Sequence, residues 1–408
     1  MDKHYLQMKR RSLLKLLSVL PIGSAVGQPL WRDAIEQHRV GSPKNLFQEL
    51  GVRTFINAAG TYTAMTGSLM RPEVLETINS SSTTFCMLDE LQDKVGERIA
   101  NLVKAESAVV TSGCFSAMTL GLAGILTGMD EKKVEQLPHL DGTDMKSEVI
   151  CQKGHNIVYS HALRNTGCKI VQIETAEELR KAINPKTAML FFLHIQSDQG
   201  LIMHEEWVSI AREFDIPTMI DIAADVPPVS NLWKFHEMGF DLVCVSGGKA
   251  IRGPQSAGLL MGKKKFIDAA RLSMPPRGFN IGRGMKVNKE EILGMYMALE
   301  KFIQADHDAE WQQQEESVKK IAVAVQSLPT VSTEIVVPPL GNITPTLHIK
   351  WNPDQLGVKG VEVQEKLRAG NPSIEIGSAT DDEITITSWM LQPGQDLVVA
   401  AHLKAAMS

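Results

Sequence analysis

Two short segments hold the residues best placed to do chemistry. Pro217-Thr218-Met219-Ile220-Asp221-Ile222-Ala223-Ala224 is an apolar run broken by a single acid. Asp241-Leu242-Val243-Cys244-Val245-Ser246-Gly247-Gly248-Lys249 runs from an apolar strand through two glycines to a lysine. An acid at the carboxyl end of a buried strand sits where open α/β sheets place their ligands. Lys249 follows Asp221 by 28 positions, which suits one strand–helix–strand step. Taken singly, Asp221 reads as a cap or turn residue and Lys249 as a solvated loop residue. Taken together on adjacent strand ends, they are the pair that pyridoxal 5'-phosphate needs. The lysine forms the Schiff base, and the carboxylate pairs with the protonated pyridine nitrogen and keeps the ring an electron sink.

Three further features agree. Thr111-Ser112-Gly113 stands at a strand-to-helix junction. A helix start with hydroxyls and a glycine is a phosphate site, or a plain N-cap. Ser246 precedes Lys249 on the same loop and offers a second phosphate contact. His155, after the apolar strand Glu148–Gln152, is a candidate to stack on the pyridine face. His161 competes with it, and a surface loop residue is the alternative reading of either.

The elements that must position these residues alternate. Helical patterns cover Glu73–Ser80, Leu88–Val103, Cys114–Leu126, Ala176–Ile183 and Trp207–Phe214. Apolar strand patterns cover Ala108–Val110, Glu148–Gln152, Lys169–Glu174, Ala188–His194, Pro217–Ile222 and Leu242–Val245. Residues 129–147 read as an insertion. This alternation predicts an α/β fold with a mostly parallel sheet covered by helices. One long helical pattern from Lys289 to about Ser327 leads to a smaller α+β C-terminal domain. Its strands are expected at Ser332–Val337, Thr346–Trp351, Ile374–Gly377 and Glu383–Thr387, and its helices at Gly360–Arg368 and Gln395–Ala406.

At these motifs the chain resembles the selenocysteine synthase (L-seryl-tRNA selenium transferase)-like family of fold-type I pyridoxal-phosphate enzymes, in particular its shorter ammonia-lyase members. The likeness rests on Gly51-Val52-Arg53-Thr54-Phe55-Ile56-Asn57-Ala58-Ala59-Gly60, Gly67-Ser68-Leu69-Met70 and Leu88-Asp89-Glu90-Leu91-Gln92. Most specific is Ser246-Gly247-Gly248-Lys249 with Arg252-Gly253-Pro254-Gln255-Ser256-Ala257-Gly258. The resemblance implies Lys249 as the Schiff-base lysine, Asp221 as the pyridine partner, and a homodimer or higher homo-oligomer with sites at subunit interfaces. It implies a lyase acting on an amino acid or amino-sugar acid; racemase, aminotransferase, selenium-transferase or non-catalytic binding roles use the same residues. Arg283, with Arg277 and Lys286, lies in a basic loop that would meet the cofactor phosphate or an acidic substrate. Asn57, Thr61 and Thr63 would line the site from the N-terminal segment.

The chain begins with Met8-Lys9-Arg10-Arg11-Ser12-Leu13-Leu14-Lys15-Leu16-Leu17 and a mildly apolar stretch ending in small residues. This is the layout of a twin-arginine export signal over residues 1–27, or of an amphipathic helix. A linker over 28–45, a cofactor-binding domain over 46–290 and a linking helix with the small domain over 291–408 complete the expected organisation, with the periplasm as destination and the cytoplasm as alternative.

Composition narrows the classes. The 408 residues are 43% apolar and carry a net charge of −5, which excludes a disordered chain. Residues 1–27 hold five Lys/Arg and one Asp, so the rest is more acidic still, a poor fit to nucleic acid. Five scattered Cys without a CxxC pair exclude a zinc ribbon or a disulfide framework, and no metal is expected.

Overall fold

The computed structural model describes residues 45–408. The segment read from the sequence as an export signal and nearly all of the expected linker lie outside them. Residues 45–54 form a unit with a one-turn helix, Leu46–Glu49, whose start is capped by the Asn45 side chain.

In residues 55–408 the strands are β1 (Ile56–Ala58), β2 (Ser107–Thr111), β3 (Glu148–Gln152), β4 (Lys169–Ile173), β5 (Thr187–Leu193), β6 (Thr218–Asp221), β7 (Leu242–Ser246), β8 (Gly258–Gly262), β9 (Ser332–Val336), β10 (Thr346–Lys350), β11 (Ile374–Ile376) and β12 (Glu383–Thr387). Seven of them make one sheet in the order β2-β8-β7-β6-β5-β3-β4. The pairs from β4 through β3, β5 and β6 to β7 are parallel, and β8 runs antiparallel to both its neighbours. The central strands are buried on both faces, so their sequences are nearly continuous apolar runs rather than alternations. Phe191 and Met219 face one apolar layer, while Phe192 and Ile220 face the other.

Two side chains secure this sheet. Gln92 donates to the Val110 carbonyl at 2.9 Å and accepts from the Val110 amide at 3.2 Å, which occupies the free edge of β2. Asp241 accepts from the Thr218 amide at 2.7 Å and from its hydroxyl at 2.9 Å, which ties the start of β7 to the start of β6. The resulting register sets Asp221 opposite Cys244, five residues before Lys249.

The strand β8 and the helices Asn231–Met238 and Lys264–Leu272 are additions to the expected pattern. The long helical pattern after Lys289 is two helices, Lys289–Gln304 and His307–Val325. The break is local chemistry: Asp306 caps the second helix by accepting from the Ala309 amide. Residues 129–147 contain a short helix, Glu131–Gln136.

The C-terminal layer pairs β12-β10-β9 antiparallel, with the helices Gly360–Ala369 and Gln395–Met407 packed beside it. Its core includes Val318, Ile321, Leu347, Ile349, Ile384 and Leu403. The strand β1 pairs parallel with β11, so Ile56 and Ala58 belong to this core. The strand β1, grouped with the large domain by its sequence, therefore joins the small one. Among the described residues no helix is long and apolar enough to cross a membrane.

Candidate active site

The carboxyl ends of β2, β6 and β7 open at one rim of the sheet, and the residues singled out by their chemistry lie there. Asp221 is buried; its Oδ1 accepts from the Ala223 amide at 2.7 Å and from the Cys114 thiol at 3.3 Å. Its Oδ2 takes no hydrogen bond among the described residues. Burial raises this carboxyl above its ordinary range, opposed by the Ala223 amide, the Cys114 thiol and the positive charge of Lys249. Cys114 stays a thiol, and so a donor, because its hydrogen bond with Cys244 and then burial push it well above the usual range.

Lys249 is half-buried and makes no ion pair among the described residues. Its loop is closely built. Gly253 donates to the Gly247 carbonyl and Arg252 to the Lys249 carbonyl, both at 2.9 Å. Ser68 clasps the Gly248 carbonyl through its amide and its hydroxyl, each at 3.1 Å. A side chain on Gly248 would meet the Gln255 backbone at 2.5 Å, so the glycine before the lysine is required by close approach.

At the phosphate candidate, Gly113 opens the helix Gly113–Thr127 at φ +85°, and Ser112 bonds the Ser116 hydroxyl at 3.0 Å. A Cβ on Gly258 of β8 would lie 2.5 Å from Gly113 C and 2.7 Å from Cys114 N. The two glycines bring strand and helix start together, with the amide donors of the first turn left for a ligand. Thr111 differs from the expectation: it is fully buried and its hydroxyl donates to the Gly113 carbonyl at 3.0 Å, so it braces the turn. Ser246 is half-buried at the end of β7.

His155 also differs. It is fully buried, its Nδ1 accepts from the Leu193 amide at 3.2 Å, and its ring stands edge-on to Phe192 at 4.5 Å. Phe192 points into the layer opposite the one that holds Cys114, so the ring has no face open beside Asp221. Burial and the neighbouring His204 lower His155 to about 4, although a backbone hydrogen bond opposes the shift. His161 instead is exposed at the start of a short helix that packs on Gly113–Thr127, where Thr119 Oγ1 donates to the Ala162 carbonyl at 2.8 Å.

Arg283 and Lys286 are exposed on their loop, and Arg277 is committed to Asp89 at 3.2 Å. Asn57 folds its own turn by accepting from the Ala59 and Gly60 amides. Thr61 is buried with an unpartnered hydroxyl, and the Thr63 carbonyl accepts from Gln255.

Sequence reasoning missed Asp225, four residues after Asp221. It is buried, and its Oδ1 accepts from the Gly341 amide at 3.0 Å, while Ala224 O accepts from Asn342. Burial first, then the Asp221 charge, raise it to about 7. Its only signal was the Asp-Ile-Ala-Ala-Asp spacing, which puts a second acid in the loop four residues past the end of β6.

These residues fit pyridoxal phosphate: an unengaged carboxylate oxygen for a ring N–H, a cradle that a Cβ would fill, and a lysine without a partner. Comparison with known proteins agrees. The Aminotransferase class-V family model matches residues 77–278. D-glucosaminate-6-phosphate ammonia lyase of Salmonella typhimurium (strain 14028s / SGSC 2262) is 28% identical over 341 residues, covering 81% of this chain and 88% of that protein. L-seryl-tRNA(Sec) selenium transferase of Pasteurella multocida (strain Pm70) is 27% identical over 52% of this chain and 47% of its own. A solved D-glucosaminate-6-phosphate ammonia-lyase superposes with a TM-score of 0.79 at 26% identity, covering 90% of this chain and 99% of that one. A structure of SPT with PLP shares the fold at a TM-score of 0.55 and 13% identity, over 87% of this chain and 88% of that one. With cofactor chemistry, fold and relatives in agreement, the chain is a pyridoxal-phosphate enzyme with the fold-type I architecture, similar to the selenocysteine-synthase-like group, and its cofactor is pyridoxal 5'-phosphate.

Proposed function

We propose that the protein is a pyridoxal-phosphate-dependent lyase that removes the α-proton and a β-hydroxyl, together as water, from an amino acid or amino-sugar acid by α,β-elimination; water then hydrolyses the released enamine, through its imine, to ammonia and a 2-keto acid. The observation that carries this reading is the buried Asp221, with one oxygen tied down and the other open, under the charge of Lys249. The extent of similarity to an ammonia lyase supports it. The selenium transferase of Pasteurella multocida is matched over 47% of its own length, and the acidic chain is ill-suited to tRNA.

Bound pyridoxal phosphate supplies an electron sink to the carbon that bears the substrate's amino group. Lys249 would hold the cofactor through Nζ, and its free amine would take the proton from that carbon. Asp221 offers Oδ2 to the ring nitrogen and holds a proton there; the paired positive charge keeps the carboxylate ionised against its burial. Ser112, the Gly113 turn and Ser246 would hold the phosphate, and His161, with His155 buried in the far layer, would be the ring that stacks. Arg283 acts from a partner subunit, in a homodimer or higher assembly. Exposed apolar side chains, Phe85 at 101%, Phe279 at 83% and Val158 at 78%, support such an assembly, and a monomeric mass in solution would exclude it. Residues 1–27 direct the protein to the periplasm after cytoplasmic folding.

The test is release of ammonia and keto acid over a panel of amino acids and sugar acids. Wild-type protein with cofactor shows a visible absorption band, and Lys249→Ala loses both band and product. A Lys249→Ala protein that keeps its band overturns the assignment.

A further inference from the structure

Cys114 is the second residue of the helix Gly113–Thr127, the helix that opens the phosphate cradle. Its backbone belongs to the cradle, but its side chain leaves towards the other end of the site. The thiol lies 3.3 Å from Asp221 Oδ1, across 107 positions of sequence, and Cys244 of β7 also hydrogen-bonds it. Cys244 stands opposite Asp221 in the register of β6 and β7, so the three side chains form one buried cluster.

The two donors to Asp221 among the described residues end on one oxygen. The Ala223 amide reaches Oδ1 at 2.7 Å from the loop after β6, and the Cys114 thiol reaches it from the helix. The last torsion of an aspartate is soft, so a single donor leaves the carboxylate plane loose. Two donors from two elements fix that plane and leave Oδ2 for a ring N–H. The thiol is also a weak donor, whereas a hydroxyl makes a short, strong bond to a carboxylate. A weak donor orients the group without drawing off the negative charge that a ring proton needs. The bond to Cys244, burial and the charge of Asp221 all keep Cys114 protonated, so it donates rather than repels. The other charged groups acting on this carboxyl are Lys249, which favours its ionised form, and Asp225, which repels it when ionised. The residue facing it on β5 is the apolar Leu193.

We propose that Cys114 is the positioning residue for Asp221: its thiol, reaching from the helix that opens the phosphate cradle, pins Oδ1 and so presents Oδ2 to the ring nitrogen. The inference rests on the cofactor assignment and deepens the reading of that same site; it does not depend on which substrate is used.

The probe is a pair of ligands, pyridoxal phosphate and its analogue with C–H in place of the ring nitrogen. Both carry the phosphate and the aldehyde, and only the first can use Oδ2. Each is titrated calorimetrically into the full chain stripped of cofactor. Wild type prefers pyridoxal phosphate. Cys114→Ala is expected to lower that preference about tenfold, by weakening pyridoxal phosphate while binding of the analogue stays the same. Cys114→Ser, which keeps a donor, recovers part of the preference. In an Asp221→Ala background, Cys114→Ala has no further effect on it, which a double-mutant cycle reads directly. An unchanged preference in Cys114→Ala overturns the proposal. So does an equal loss for both ligands, which would put the effect in the cradle or the fold, or an effect that persists without Asp221. A wild type that binds both ligands equally overturns it together with the role of Asp221. Binding is read without turnover, so each of these outcomes is separable from failure of the lyase reading.

Discussion

Asp225 turns the site into a pH-sensitive one. Its folded carboxyl titrates near 7 against an ordinary 3.8, because burial and the charge of Asp221 oppose ionisation. Between those values the unfolded chain has released a proton that the folded chain holds. The contribution of this group is therefore full below about pH 4 and is lost as the pH rises through 7. Asp225→Asn keeps an acceptor for the Gly341 amide and carries no charge. It is expected to gain about 1–2 kcal/mol over wild type at pH 8 and little at pH 4. Thermal melts of both proteins across this range check it; comparing the two removes the opposite effect of His155, whose depressed value makes the fold less stable as pH falls from 6.5 towards 4. An offset that does not change with pH refutes it. At this scale Asp221 and Lys249 were legible from residue type and spacing, because each ends an apolar run. Asp225, His155 and Cys114 were not, because their roles depend on which way a side chain leaves the backbone.

The elements act mainly through close approach. Gly258 lets β8 lie against the start of the helix Gly113–Thr127, so the phosphate cradle is a property of two elements rather than one motif. Gly258→Ala would force Cβ against backbone atoms of Gly113 and Cys114. The expected cost is about 1–3 kcal/mol of stability, with cofactor affinity lowered about tenfold, measured by urea unfolding and by cofactor titration. Loss of stability with unchanged cofactor affinity would show that this contact does not shape the cradle. The strands and helices of the sheet were largely readable from period and length. The strand β8 was hidden because Gly258-Leu259-Leu260-Met261-Gly262 follows a glycine- and proline-bearing loop without a polar alternation to mark it.

At the scale of the whole molecule, we propose that the N-terminal segment is an address. The paired Arg10-Arg11 suits a route that carries proteins already folded, and a cofactor enzyme needs to be loaded before transport. Residues 1–30 fused to a reporter are expected to reach the periplasm, and changing Arg10-Arg11 to Lys-Lys is expected to abolish export. Export that survives the change would remove the twin-arginine reading. The four buried cysteines among the described residues, Cys114, Cys151, Cys168 and Cys244, fit folding in a reducing compartment; burial pushes Cys151 up to about 12.

By itself the sequence determined the cofactor class, the alternating architecture and the Asp221–Lys249 pair, because burial on both sheet faces writes continuous apolar runs and the chemistry stands where those runs stop. Only the tertiary structure decided what surrounds the pair. Strand register and close glycine contacts sent His155 to the far layer, set Thr111 to bracing a turn, brought β1 into the C-terminal core and placed Cys114 beside Asp221, 107 positions later. Such neighbours are separated along the chain and are joined only by packing, which no local pattern encodes.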